Sequence, residues 1–288
     1  MKQSDLRLSD AAHEDRLLSH WFATDNEEQD RMISTHYALK SFFGGNVLDA
    51  VKHCLPFEQG IKILDIGCSS GAWVLDMSLE FPHCEFHGVD VATFVRKGGL
   101  PGNVKFHQGD VLQKLDFADD TFDFVHMRNM LFAFEVKDWP IAVREALRVT
   151  KPGGVLQLLE MDIRELQCND KLRRTYELFY SICQSQHQDP RMAVQLENIL
   201  RQAGADILQI DERMINCASM PGLAKKRLLW DIERGLECMI SVMGPHLELN
   251  GTEAQKELVE EIIQSITDAD YESSYKGVAC QKKVKKIK

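Results

Sequence analysis

The stretch of this chain best suited to chemistry is Ile63-Leu64-Asp65-Ile66-Gly67-Cys68-Ser69-Ser70-Gly71-Ala72-Trp73. It passes from an apolar run through a turn of small residues into a helical pattern. Glycines in such a turn let a ligand lie against the backbone, and the helix behind it presents unpaired N–H groups at its positive end. The stretch reads as a nucleotide or cofactor cradle, or as an ordinary strand-to-helix turn, and on its own it does not separate the two. Two further acids tilt the balance toward the cradle. Asp90 ends Phe86-His87-Gly88-Val89-Asp90, about 20 residues beyond the loop, where a carboxylate takes both hydroxyls of a ribose, with Val91 beside it. Gly109-Asp110-Val111 follows the next apolar run; there an acid accepts from an adenine amino group while the valine covers the ring.

The order of charges argues against a phosphate. Asp65 lies two positions before Gly67, where it would repel the pyrophosphate that a G-x-G-x-x-G dinucleotide loop binds. The glycines instead fit a G-x-G-x-G spacing in which Ser69 replaces the middle glycine, a replacement that is tolerated if the position needs no positive φ. Three acids at three successive strand ends, with no Lys or Arg close to the loop, suit a ligand without phosphate that is cationic at sulfur. A nicotinamide dehydrogenase is the competing enzyme class, and Asp65, Ser69 and Gly71 all count against it.

Around these residues, short apolar runs alternate with helical stretches. Strands are expected at Ile61 to Ile66, Phe86 to Asp90, Val104 to His107, Phe122 to Met127 and Val155 to Met161, with helices over Ala72 to Phe81 and Asp138 to Val149. Repeated strand-helix-strand units predict an α/β, doubly wound parallel sheet covered on both faces. Before it, Asp25 to Leu48 and Val47 to Cys54 read as helices. After it come helices over Asp170 to Ser185 and Met192 to Ala203, a strand over Ile207 to Ile215, helices over Lys225 to Met243 and Glu253 to Ile266, and a strand over Tyr275 to Gln281. The domain plan is a flexible segment 1–24, a catalytic domain 25–281 with a helical cap at 25–58 and a helical insertion at 216–270, and a basic tail 282–288.

With these motifs in place, the sequence resembles the class I S-adenosylmethionine-dependent methyltransferases. Asp65 to Gly71 matches their glycine loop, Asp90 their ribose acid and Gly109-Asp110-Val111 their adenine motif, while Leu147-Arg148-Val149-Thr150-Lys151-Pro152-Gly153-Gly154-Val155 is similar to their L-x-x-x-L-K-P-G-G turn. More narrowly, Asp25-Asn26-Glu27-Glu28-Gln29-Asp30-Arg31, His36 and Phe43-Gly44-Gly45 are similar to the fungal LaeA-like methyltransferases. The resemblance implies a Rossmann-like seven-stranded sheet with an antiparallel last strand, S-adenosylmethionine bound across the strand ends by Asp65, Gly67, Cys68, Ser69, Gly71, Asp90, Val91, Asp110 and Val111, and Arg128 near the methionine carboxylate. It also implies either an enzyme with a small-molecule acceptor, of fungal secondary metabolism, or a cofactor-binding regulator that works through protein partners.

Methyl transfer from a sulfonium needs alignment and exclusion of water more than covalent help. If the acceptor is a hydroxyl or a carbon acid, a general base is wanted, and His36, His126 and Glu160 are the candidates by position. His126 suits a packed structural role equally well. Trp73 reads as pocket wall or core, Cys68 as a small side chain in the loop, and the stripe Leu229, Ile232, Leu236 and Ile240 as core, substrate mouth or dimer face.

Composition bounds the rest. The 288 residues carry a net charge of -10, which disfavours a nucleic-acid surface. No apolar run reaches the roughly 18 residues of a membrane span, and the expected location is the cytoplasm, or the nucleus if Lys282 to Lys288 serves as an address rather than a solvated tail. Eight cysteines show no C-x-x-C pair and no metal-ligand spacing, so reduced thiols and no metal are expected.

Overall fold

A computed structural model describes residues 26–92, 99–165, 169–217, 220, 222–249, 251–268 and 273–284. The expected flexible segment 1–24, the helix start at Asp25, Cys168, and Lys285 to Lys288 of the tail lie outside the described residues.

Two helices open the described chain, α1 (Asn26–Phe43) and α2 (Asp49–Cys54), followed by a 3-10 turn at Phe57–Gln59. Helix α1 stops earlier than the expected Leu48. Gly44 takes φ 68° and the N–H of Gly45 bonds back to the Lys40 carbonyl, which satisfies the end of the helix and turns the chain. The alternating core then runs β1 (Lys62–Ile66), α3 (Ala72–Glu80), β2 (Glu85–Asp90), β3 (Val104–Gln108), β4 (Phe122–Arg128), α4 (Trp139–Val149) and β5 (Thr150–Asp162). After it come α5 (Asp170–Ser185), a 3-10 turn at Met192–Gln195, α6 (Leu196–Gln202), β6 (Asp206–Met214), α7 (Gly222–Met243), a 3-10 turn at Gly244–Leu247, α8 (Thr252–Asp268) and β7 (Ser274–Gln281). Asn169 caps α5 by accepting from the Leu172 N–H at 2.9 Å.

The seven strands form one sheet in the order β3-β2-β1-β4-β5-β7-β6, parallel except for β7, which runs antiparallel between β5 and β6. The fold is therefore α/β, doubly wound and Rossmann-like, with the antiparallel last strand that the resemblance implied. Two expectations differ in detail. Strand β5 starts at Thr150 rather than Val155, because Pro152-Gly153-Gly154 sits within it as an irregularity: the register against β4 jumps from Phe122↔Thr150 to Phe124↔Val155. The stretch from Met192 to Ala203 divides into a 3-10 turn and a short α-helix.

Both faces of the sheet are covered. On one, Trp139, Val143 and Leu147 of α4 and Leu196 and Leu200 meet Leu64, Val125 and Leu156 of the strands. On the other, Val51, Trp73, Val74 and Met77 pack on Ile63, Phe86, Phe124 and Val155. A third apolar cluster lies beyond the strand ends, where Leu39 of α1, Phe179 of α5, Leu228 and Ile240 of α7, and Val259 and Ile262 of α8 gather over Leu159 and Tyr275. This third cluster roofs the sheet at the end where β1, β2 and β4 stop.

A chain of rings and charges braces the β2–β3 edge. Nδ1 of His87 lies 2.9 Å from Nε2 of His107, and Nε2 of His87 lies 3.0 Å from Glu85 Oε1, which Lys105 also meets at 2.8 Å. One proton arrangement satisfies every atom: His87 donates to Glu85, His107 donates to His87, and both rings are neutral. Burial holds both histidines below their ordinary value. As pH falls through about 6.5 the unfolded chain takes up protons first, so stability present above that pH is lost below it. Urea unfolding should accordingly shift to lower midpoints between pH 7.5 and 5.5. The slope should be shallower in His107→Gln, whose amide still donates to His87, by less than about 1 kcal/mol for this partly exposed pair; an unchanged pH profile in that variant would count against the shared-proton arrangement.

Candidate cofactor and acceptor site

One cavity of about 440 Å³ opens at the strand ends, the size expected of a small-molecule site. Its floor is the loop between β1 and α3. Gly67 has φ 70°, Gly71 has φ 74° and serves as the N-cap of α3, and a Cβ on Gly67 would come within 2.5 Å of Met130 Sδ. Glycine is thus favoured at both positions by dihedral, and a side chain at Gly67 would also have to displace the end of Met130. Ser69 departs from expectation: its φ is 44°, so the replacement of glycine there is not free of the left-handed region. An L-residue in that region costs about 1–2 kcal/mol. The compensation is visible, because the Ser69 N–H donates to Asp90 Oδ2 at 2.9 Å, which fastens the loop to the end of β2.

The three expected acids all reach this cavity, at the ends of three neighbouring strands. Asp65 is 3% exposed, and its Oδ1 accepts from His126 Nδ1 at 2.8 Å. Asp90 accepts from the N–H groups of Ser69 and Ala92, at 2.9 and 3.1 Å, and burial raises its pKa. Asp110 accepts from the Leu112 N–H at 2.9 Å. Among the described residues no Lys or Arg lies within ion-pair distance of any of the three. Three carboxylates without cations favour a ligand that brings hydroxyls, amines and positive charge, and disfavour a phosphate. That is the donor and charge pattern of S-adenosylmethionine. Val91 and Val111 complete this end of the wall.

Cys68 lines the loop with its thiol buried; burial and the charges of Asp65 and Asp90 push its pKa well up, so it stays protonated and unreactive. The thiol packs against Gly88, where an added Cβ would meet the Phe106 ring at 2.6 Å and Cys68 Sγ at 2.9 Å. Among the described residues, no group of three or more His, Cys, Asp or Glu is placed to hold a metal ion.

The three candidate bases occupy different settings. His126 lies outside the cavity wall, stacked on Trp73 at 4.1 Å between centroids, and is held neutral by burial. His36 also lies outside the wall. Its Nδ1 accepts from Arg128 at 3.1 Å, its Nε2 meets Asp76 at 3.1 Å, and burial and Arg128 push its pKa down to about 3. Glu160 does line the cavity. It is 1% exposed, accepts from the N–H groups of Met130 and Leu131 at 2.7 and 3.2 Å, and burial raises its pKa to about 8. Because the Met130 side chain lies over Gly67, Glu160 sits where the loop end of the cavity meets its roofed end.

Arg128 lines the cavity at the end of β4, and among the described residues no carboxylate lies within ion-pair distance of its guanidinium. Trp73 is both wall and core, 1% exposed, with its N–H donated to the Asn46 carbonyl at 3.2 Å. The stripe on α7 divides: Ile232 and Leu236 face the cavity, Ile240 is fully buried and Leu229 packs against the roof. Sequence reasoning missed Arg31 and Thr35 of α1, Asp231 and Gly235 of α7, Thr175 and Tyr176 of α5, and Tyr275 of β7, all of which line the same cavity. A carboxylate at Asp231, inside an otherwise apolar stripe, was the available signal.

Comparison with known proteins agrees with this geometry. A family model described as a methyltransferase domain matches residues 63–154, which run from β1 into β5 and include the three acids. The secondary metabolism regulator laeA of Coprinopsis cinerea is 31% identical over 156 residues, covering 54% of this chain and 38% of that protein. Methyltransferase pytC of Aspergillus terreus is 32% identical over 144 residues, covering 49% of this chain and 42% of that one. The matches thus span less than half the length of these two curated relatives. Phosphoethanolamine N-methyltransferase 2 of Haemonchus contortus, solved with phosphomonomethylethanolamine and S-adenosylhomocysteine, shares the fold with a TM-score of 0.53 at 20% identity, over 88% of this chain and 58% of that chain. The acid row, the sheet order and these matches agree: residues 63–154 match a methyltransferase domain, and the chain is similar to the class I S-adenosylmethionine-dependent methyltransferases and to the fungal LaeA proteins.

Proposed function

We propose that this protein transfers the methyl group of S-adenosylmethionine to a small-molecule acceptor, in the manner of an enzyme of secondary metabolism. The observation that carries the reading is the continuity of the cavity: the acid row at the strand ends opens directly into a roofed apolar space formed by α5, α7 and α8. Asp90 would take the ribose hydroxyls and Asp110 the adenine amino group beside Val91 and Val111. Asp65 and the Gly67 backbone would face the methionine amino group, and Arg128 its carboxylate. The bound cofactor supplies a sulfonium methyl and its own leaving group. What the chain supplies is alignment and dryness. Glu160, at the junction of the two ends, holds a proton below about pH 8 and gives it up above, so it can accept one from an acceptor hydroxyl, amine or acidic carbon only above that pH and is a hydrogen-bond donor to the acceptor below it. His36 and His126 act as positioning groups, the first on Arg128 and the second on Asp65. The helices α1 and α7 meet over the cavity through Arg31 and Asp231, at 2.9 Å, and are read as its lid.

The printed name of the Coprinopsis relative favours a second reading, a regulator whose cofactor site serves partner proteins. A roofed space within the chain favours the small acceptor over a protein side chain.

Calorimetric titration with S-adenosylmethionine should give micromolar binding, with NAD as a negative control. Asp90→Ala should weaken it by about ten- to a hundredfold, as expected for lost bonds to two hydroxyls; undiminished affinity would remove Asp90 from the ribose site. Arg128→Gln should weaken S-adenosylmethionine but leave 5′-methylthioadenosine, which has no carboxylate, unaffected, and equal losses for both ligands would contradict the assignment. Infrared difference spectra should show a protonated carboxyl that titrates near pH 8 and is missing in Glu160→Gln. A band that persists in that variant belongs to another group.

A further inference from the structure

The roofed end of the cavity differs from the loop end in kind. Its wall is dominated by apolar side chains, among them Leu172, Phe179, Ile232, Leu236, Met239 and Ile262, contributed by three helices. Gly235, buried in the middle of α7 and part of the wall, is a residue that weakens a helix relative to alanine. Where it stands, a residue without a side chain forms part of the cavity wall.

Among the described residues, the arginines that line this end are already paired. Arg31 gives Nη1 to Asp231 at 2.9 Å and its other nitrogens to Glu28 at 2.7 and 2.6 Å, and Thr35 also donates to Asp231. Arg164 is held by Asp162 at 2.6 Å and Glu212 at 2.9 Å. Arg128, which among the described residues meets no carboxylate at ion-pair distance, is tied to His36 on α1 and belongs to the loop end. Glu160, by contrast, is an acid at the junction that meets two backbone N–H groups and, among the described residues, no cation. An anion brought into this space would find both arginines already paired with acids, and would lose its hydration without recompense. An apolar body with a hydroxyl or an amine would bury its surface on the three helices and turn its polar atom to Glu160.

We propose that the acceptor is a largely apolar molecule that carries a hydroxyl or an amine and no phosphate, sulfate or carboxylate group, seated between α5, α7 and α8 with its polar atom at Glu160. This rests on the reading that the loop end holds S-adenosylmethionine. The full chain, saturated with S-adenosylhomocysteine, is titrated with the neutral dye N-phenyl-1-naphthylamine, followed by its fluorescence. The dye is then displaced with dodecan-1-ol, dodecylamine and dodecyl phosphate below their aggregation limits.

The alcohol and the amine should each displace the dye at concentrations at least about tenfold lower than the phosphate, a difference of about 1.4 kcal/mol. Gly235→Leu should abolish dye binding while S-adenosylhomocysteine still binds by calorimetry; Met239→Trp takes its place if that variant does not fold. Displacement by dodecyl phosphate as good as that by the alcohol overturns the proposal, as does normal S-adenosylhomocysteine binding with no dye uptake. Failure of S-adenosylhomocysteine itself to bind overturns the earlier reading, and the proposal with it.

Discussion

The buried hydrogen bond between His126 and Asp65 is the constraint on which the site depends. Asp65 is 3% exposed and stands in a row of three acids, where an unsupported carboxylate would cost several kcal/mol. A neutral imidazole on the neighbouring strand gives it one bond at 2.8 Å, and the indole of Trp73 lies flat against that imidazole. The indole N–H is in turn donated to Asn46, between α1 and α2. One stack of rings therefore ties the glycine loop, the sheet and the N-terminal helices together, and fixes where the carboxylate points before any ligand arrives.

From that fixed acid the cavity divides by charge. At the loop end carboxylates outnumber cations, as a sulfonium with a ribose and an amine requires. At the roofed end the arginines are cancelled by neighbouring acids and the wall is apolar. Glu160 stands between, its charge suppressed by burial rather than by a partner. A single cavity thereby offers two environments, one lined by carboxylates and one apolar.

The floor of this arrangement was legible in the sequence because it is local. Asp65, Gly67, Gly71, Asp90 and Asp110 announce themselves through spacing along successive strands and turns, and the alternation of apolar runs defines the sheet. Ser69 was misjudged because the dihedral of a loop residue is set by what its N–H must reach, here Asp90 on another strand. The start of β5 was placed too late because Pro152-Gly153-Gly154 carries the composition of a turn, while the pairing to β4 and β7 keeps it in the sheet as a kink. Arg31 and Asp231 were missed for a different reason: they lie 200 residues apart, and nothing in either helix alone shows that the other will pack on it. His36 and His126 look like bases from their types, and only the fold shows that the first is bonded to Arg128, the second to Asp65, and neither lines the cavity.

Strand β6 has a single neighbour in the sheet, β7, and β7 is the strand that separates it from β5. Because β7 carries both pairings, the register of β6 and the anchoring of α7 and α8, which lie between β6 and β7 along the chain, depend on that one strand. Tyr275 on the same strand lines the cavity, so the strand that joins the two parts of the sheet is also a piece of the chamber wall.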